Sequence, residues 1–240
     1  AMREDITPYK RRILVLLAHP SLERSEANRP LAQQTQRIAG VTLVDLYGEY
    51  PGFVIDIDRE QRRLLAHDVI VFMHPLYWYS TPAILKEWQD LVLEHGWAYG
   101  REGTALHGKM FLSAITTGGR ESAYQRDGHN HFTIRELLTP TEQTARLCGM
   151  LPLPPFVAYG TLTMTAEEIR GHARDWRRVV EALRDVLEDP AVPKTGQNVN
   201  EPSVAELADG RLLMTMRSIA GGSSRVGSAS ITSNRSRPST

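Results

Sequence analysis

The chain has 240 residues, with 28 basic against 28 acidic side chains and a single cysteine. Zero formal charge argues against a nucleic-acid binder, which needs a basic surplus, and the lone Cys148 excludes an intrachain disulfide and fits a reducing, cytoplasmic compartment. No apolar run approaches the ~20 residues of a membrane helix, and "AMREDITPYKRR" shows no apolar signal segment behind its charges, so a soluble protein is expected.

Taken in chain order, "ILVLLA" (13–18) predicts a strand buried on both faces, and the Ser25 cap predicts a helix over 26–38. "VTLVDLY" (41–47) predicts a second strand, followed by a helix over 58–66 that starts at Asp58 with Glu60 and Gln61 in its first turn. "DVIVFMH" (68–74) is a third strand. Thr81-Pro82, a hydroxyl cap before a proline, then opens a helix over 82–94. "MFLSAIT" (110–116) is the fourth strand, and the helical pattern over 133–149 should kink or split at Pro140. "PFVAYG" (155–160) is a weaker fifth strand, and "TAEE" opens a helix over 165–188 with a capping box.

Continuous rather than alternating apolar runs mean that both sheet faces are covered. Strand–helix alternation then predicts an α/β, flavodoxin-like three-layer sandwich with a five-stranded parallel sheet of order 2-1-3-4-5. In that order a ligand lies at the carboxyl ends of strands one, three and four. That domain would occupy 1–189. Residues 190–240 read as a linker and a low-complexity tail rich in Ser, Gly and Arg, with a possible hairpin about Asp209-Gly210. "EPSVAELADGRLLMTMRS" is similar to one strand pair of the sialidase-like propellers, but one pair cannot build a propeller, and no activity is assigned to it.

Three segments fall at the carboxyl edge. After strand one, His19, Ser21, Ser25, Glu26, Ala27 and Asn28 offer hydroxyls, an imidazole, an amide and a helix start, which suit a single phosphate monoester. No G-x-G-x-x-G turn for a pyrophosphate follows this strand, and no G-x-x-x-x-G-K-[ST] loop is present. A receiver domain would want acidic residues where this chain has Ala18-His19 and His74-Pro75. The bland alternative is that Ser25 and Asn28 only cap a helix.

After strand three, Leu76, Tyr77, Trp78 and Tyr79 could wall a planar aromatic ligand, with backbone N–H groups reaching its polar edge. Trp88 and Trp97, further on, suit core or interface anchors. After strand four, Thr116, Thr117, Gly118 and Gly119 form a turn in which glycine permits close approach of a ring. Tyr124 and His129 follow and could donate hydrogen bonds to a developing anion; packed phenol and solvated histidine are the alternatives. The His129 and His131 pair lacks the further ligands a metal would need, so no metal is assigned.

The runs "LLAHP…S-x-AN", "LY-x-x-YP-x-F-x-IDI-x-x-EQ", "HPLYWYS-x-P-x-LK-x-W-x-D", "HGWAYG…G-x-ALHGK" and "TTGG-x-ES" resemble the flavodoxin-like NAD(P)H:quinone oxidoreductases. Within these the match is closest to the ancillary proteins of glutathione-regulated potassium-efflux systems, over residues 12 to 187. The resemblance implies FMN, or FAD, as cofactor, NAD(P)H and quinone as substrates, and ping-pong hydride transfer through one cavity. It implies that His19, Ser25, Glu26, Ala27 and Asn28 hold the flavin phosphate and ribityl chain. Leu76, Tyr77, Trp78 and Tyr79 would line the isoalloxazine, and Thr116, Thr117, Gly118 and Gly119 its other edge. Tyr124 matches the Tyr that assists hydride transfer, and His129 is the looser match to its His partner. A homodimer is implied as well. So is an alternative role: a regulatory subunit at the inner face of the membrane that binds and activates a potassium efflux antiporter, with the flavin structural or redox-sensing.

Overall fold

The computed structural model describes residues 10–185, together with the backbone of strands at 199–206, 211–218 and 229–232. Strand β1 (Ile13–Leu17) is buried along its whole length and pairs in parallel with β2 (Val41–Asp45) on one side and β3 (Val69–Pro75) on the other. β4 (Met110–Thr116) pairs with β3 over seven residues, Val69 opposite Met110 through Pro75 opposite Thr116. The fifth position is shared by β5 (Leu151–Pro152), against the start of β4, and β6 (Phe156–Ala158), against its end. Pro154 and Pro155 lie between them and have no N–H to give the ladder; β6 falls within the fifth strand expected over 155–160, and β5 is an additional short pairing before it. The order is 2-1-3-4-5 with β6 also on β4, as the strand–helix alternation predicts.

Alternation within the buried strands sorts side chains to two faces. Leu14, Leu16, Ile70, Phe72 and Phe111 pack with Leu64 of α3 (Ile57–Leu65) and with Ile84, Leu85 and Trp88 of α4 (Ala83–Val92). A short helix, α2 (Leu46–Glu49), joins this side directly after β2. Ile13, Val15, Leu17, Val69, Val71 and Met73 pack instead with Leu31 of α1 (Asn28–Gln36), and with Trp176 and Val180 of α7 (Ala166–Arg184). Each face holds one fully buried tryptophan with its indole N–H satisfied: Trp88 donates to Glu60 at 3.0 Å, and Trp176 to Thr35 at 2.8 Å. A side chain of this size removes roughly 200 Å² from water, worth about 5 kcal/mol of apolar burial before entropy is subtracted.

The helix ends follow local chemistry, with three departures from expectation. α1 begins at Asn28, not at residue 26, with the Ser25 hydroxyl accepting the Asn28 backbone N–H at 2.9 Å. α3 is capped by Asp56, whose carboxylate accepts from the Arg59 N–H; Asp58 lies inside the first turn. Pro82, not Thr81, occupies the cap position of α4. Pro140 does split its segment, into α5 (Ile134–Leu137) and α6 (Thr139–Leu147), and Thr165 with Glu168 forms the capping box that opens α7. No helix among the described residues is long and apolar enough to cross a membrane.

Beyond α7, β7 (Val199–Glu206), β8 (Arg211–Ser218) and β9 (Ala229–Thr232) form an antiparallel sheet. The pairing of β7 with β8 is the hairpin expected about Asp209-Gly210, whose connecting residues 207–210 lie outside the described residues. The expected division between 189 and 190 also lies outside them.

Candidate functional site

β1, β3 and β4 end together, so the three segments that follow them share one edge of the sheet. After β1 the chain turns at His19 and passes through a 3-10 turn (Leu22–Arg24) to Ser25 and α1. His19 is buried, and its Nδ1 accepts the Ser21 backbone N–H at 3.1 Å. Burial pushes its pKa below the usual histidine value, against the pull of Asp45. A neutral ring that accepts at Nδ1 carries its proton on Nε2, leaving that nitrogen as a donor.

Asn28 is a deeply buried polar group, 2% exposed at the start of α1. Its Nδ2 donates to the Thr116 hydroxyl at 2.9 Å, tying the first helix to the end of β4. The Thr116 carbonyl in turn accepts the Leu76 N–H at 2.9 Å, so the segments after β1, β3 and β4 are knotted at one residue. The Asn28 Oδ1 has no partner. A buried amide oxygen left unpaired costs on the order of 1–3 kcal/mol, which a ligand donor at this place would relieve. Ser25, half-buried beside it, accepts twice from Asn28 and keeps its own hydroxyl proton to donate. Glu26 is exposed and Ala27 half-buried.

The segment after β3 is an aromatic turn. The Ser80 N–H closes on the Tyr77 carbonyl at 2.9 Å, and the central residues Trp78 and Tyr79 both hold positive φ, 49° and 62°. Both central φ values positive is the turn geometry that Asn-Gly adopts easily. For two aromatic residues it stores strain on the order of 1–3 kcal/mol each. Trp78 is 93% exposed, and Tyr77 and Tyr79 are also exposed, while Leu76 is half-buried. Leu76 and Tyr77 spend their backbone N–H groups on Thr116 and Pro75, so any amide contact with a ligand falls to Trp78 and Tyr79. The Tyr77 ring stands edge-on to His19, centroids 6.1 Å apart, which joins this wall to the first segment.

After β4, Thr116 and Thr117 are buried, and the Thr117 hydroxyl donates to the Gly119 carbonyl at 2.8 Å. A Cβ on Gly118 would fall 3.0 Å from Leu162, and one on Gly119 3.3 Å from the Tyr124 ring. The chain's own packing therefore already asks for small residues at this turn. Tyr124 is buried in a 3-10 turn (Glu121–Tyr124), against Ile115, Ile134 and Leu138 and beside Tyr159. Its hydroxyl lies 3.6 Å from where a Gly119 Cβ would be, so the phenol does sit at this turn. His129 is exposed on the loop beyond, as is His131.

Three residues of this edge escaped the sequence reading. Asn130, between the two histidines, accepts the Tyr79 hydroxyl at 3.2 Å across the gap between the two loops. Reading "HNH" for its imidazoles hides the amide. His74 is fully buried at the end of β3; its Nδ1 donates to the Pro75 carbonyl at 2.9 Å, while Nε2 has no partner. A polar residue closing an apolar strand was its only signal. Asp45 ends β2 near His19 and also carries one buried, unpaired oxygen.

Comparison with known proteins places this arrangement. Residues 11–180 match the protein family described by the flavodoxin-like fold. The Bacillus subtilis (strain 168) protein named uncharacterized NAD(P)H oxidoreductase YrkL is 48% identical over 171 residues, 71% of this chain and 97% of that one. A glutathione-regulated potassium-efflux system ancillary protein, KefG of Serratia proteamaculans (strain 568), is 47% identical over 170 residues, 70% of this chain and 93% of its own. Among solved structures, general stress protein 14 of Treponema denticola in complex with FMN superposes with a TM-score of 0.69 at 34% identity, covering 72% of this chain and 99% of that one. An NADPH-quinone reductase from P. pentosaceus superposes at 0.65 with 30% identity, covering 70% and 97%.

Proposed function

The chain belongs to the flavodoxin-like fold family, and on that premise we propose that it is a flavoprotein that reduces quinones with NAD(P)H. The observation that carries the reading is the buried Asn28 amide, whose free Oδ1 sits at the knot of the three site segments. An acceptor there fits a ribityl hydroxyl. Beside it, the Ser25 hydroxyl and the His19 Nε2–H are donors suited to a phosphate, at the positive end of α1. The residues therefore fit FMN; the FMN complex of a relative at 34% identity supports the choice.

FMN in this place would supply two-electron hydride chemistry, with NAD(P)H and quinone using one cavity in turn. The chain's part is to bind and orient. Glu26 and Ala27 complete the phosphate-side loop, and Leu76, Tyr77, Trp78 and Tyr79 wall one side of the ring. Thr116, Thr117, Gly118 and Gly119 form its other edge. The Tyr124 hydroxyl, and His129 from the loop, donate to oxygen that gains negative charge. A homodimer in the cytoplasm is the assembly we assign, as in the quinone oxidoreductases the motifs resemble.

Purified protein reconstituted with FMN is expected to lose its flavin absorbance on adding NADPH and regain it with a quinone. Initial rates against both substrates should give parallel double-reciprocal lines, and Tyr124→Phe should lower turnover by ~10²-fold. Intersecting lines would remove the ping-pong scheme, and a flavin that NADPH leaves oxidised would remove the activity. A second reading, favoured by the KefG relative at 47% identity, is a subunit that binds and activates a potassium efflux transporter. Transporter activation that survives Tyr124→Phe while turnover is lost would select it.

A further inference from the structure

The aromatic turn has a problem to solve. Trp78 and Tyr79 sit side by side in the left-handed region, and the Trp78 ring, almost wholly exposed, earns no burial inside the chain that would fix it there. Something else must hold the turn. Its root is fixed by the Tyr77 N–H on the Pro75 carbonyl, which also accepts from His74, and its waist by Ser80 on Tyr77. Its tip is met by Asn130, whose Oδ1 accepts the Tyr79 hydroxyl at 3.2 Å across 51 residues of sequence.

Asn130 is itself held. Its backbone N–H donates to the Ala123 carbonyl at 2.9 Å, in the 3-10 turn that carries Tyr124. The loop between folds tightly enough that a Cβ on Gly128 would lie 2.3 Å from the Ser122 carbonyl oxygen. An unbroken line thus runs from the Tyr124 turn through Asn130 to Tyr79 and the strained pair. His129, the loop residue singled out from sequence, faces solvent beside it.

We propose that Asn130 is a positioning residue: it clasps the aromatic turn through the Tyr79 hydroxyl and sets the gap between the two walls of the ligand slot. The amide does not touch the reacting atoms. It fixes where the Tyr77–Tyr79 wall stands relative to the wall built on Tyr124. The kinetic consequence rests on the proposed flavin reading, but the clasp itself does not.

The test uses Tyr79→Phe, Asn130→Ala, the double variant, and Asn130→Asp, which keeps an acceptor for the phenol. One measurement is amide hydrogen exchange over residues 77–80 in the purified full-length chain, which needs no turnover. Exchange is expected to quicken ~5-fold in Tyr79→Phe and in Asn130→Ala alike, the size set by one exposed hydrogen bond. The double variant should be no faster than either single one, and Asn130→Asp should keep the original rate. The other measurement is steady-state kinetics of the FMN-loaded protein. There the same two single variants should raise the KM for NADPH by ~5-fold, with the change carried by KM rather than kcat, and Asn130→Asp should restore it. Unchanged exchange, effects that multiply in the double variant, or an Asn130→Asp that behaves like Asn130→Ala would each overturn the clasp. If the chain takes up no FMN, the flavin reading falls and the exchange experiment still decides the clasp.

Discussion

Replacing Glu60 by alanine is expected to lower the free energy of unfolding by about 3–5 kcal/mol, the cost of stripping one partner from a buried ionic network. Glu60 is wholly enclosed between α3 and α4. It accepts the Tyr50 hydroxyl at 2.6 Å, the Trp88 indole at 3.0 Å and the guanidinium of Arg63. Arg63 also reaches Glu49 at 2.8 Å, and Arg59 bridges Glu49 at 2.9 Å. Alanine would leave the Trp88 N–H and the Tyr50 hydroxyl buried without an acceptor and Arg63 with half its partners. Burial, with the hydrogen bond to Glu60, already pushes the Tyr50 pKa up to about 12, a sign of how closely phenol and carboxylate interact. Glu60→Gln keeps one of the two accepting oxygens, so it retains an acceptor for the Tyr50 phenol or the Trp88 indole but not both, and should lose less than the alanine variant. Equilibrium denaturation in urea checks both, and a loss under ~1 kcal/mol for the alanine variant would show that the network is dispensable. The consequence reaches the site because α4 starts three residues after the aromatic turn and Trp88 anchors that helix to the sheet.

Acid should unfold the chain earlier than its carboxylates alone would dictate. His74 has no solvent contact, and burial lowers its pKa from 6.5 to about 4. The folded state therefore binds fewer protons than the unfolded chain between those two values, so stability rises with pH across that window. The His74 contribution is whole above about pH 6.5, falls progressively as pH drops towards 4, and changes no further below that. A displacement of this size corresponds to ~3 kcal/mol. His67 and His19, both lowered by burial, act in the same direction. The carboxyl groups of Glu136 and Glu168, lowered chiefly by hydrogen bonds from Thr133 and Thr165, give up their share only as pH falls below about 4.5. His74→Phe removes the titrating group and the unpaired Nε2 together. Unfolding free energies from pH 7 to pH 4 are expected to slope less steeply in that variant. Equal slopes would mean that the imidazole gains its proton without unfolding.

Much of this architecture is written in the sequence for a simple reason. β1, β3 and β4 are covered on both faces, so their positions are apolar almost throughout and the runs are unmistakable. β2, at the edge, buries little beyond Val44, and its run was legible only because β-branched residues persist there. Where two local solutions compete, sequence is less decisive. Asp56 and Asp58 are both sound caps, and the choice of Asp56 is made by the register of α3 against the core. The fifth strand was read over 155–160, and no local pattern showed that Leu151–Pro152 would also pair with β4. At the site, Asn28 and Thr116 were each nameable, yet the bond between them spans 88 residues and no local pattern encodes it. Trp78 and Tyr79 carry no glycine or asparagine to advertise a left-handed turn. That conformation is imposed by the closing bonds around it, and so was Asn130's part in it invisible.

The central claim is that a flavin phosphate and its ribityl chain lie at the start of α1, with Asn28 as the polar anchor. The direct measurement is titration of the flavin-free protein with FMN, followed by quenching of flavin fluorescence, in the native sequence and in Asn28→Leu. The native chain should bind one FMN per chain, and Asn28→Leu should bind it at least ~10-fold more weakly, the cost of one buried hydrogen-bonding group lost to the ligand. A native chain that leaves FMN fluorescence untouched, or an Asn28→Leu protein that folds and binds FMN equally well, would contradict the account.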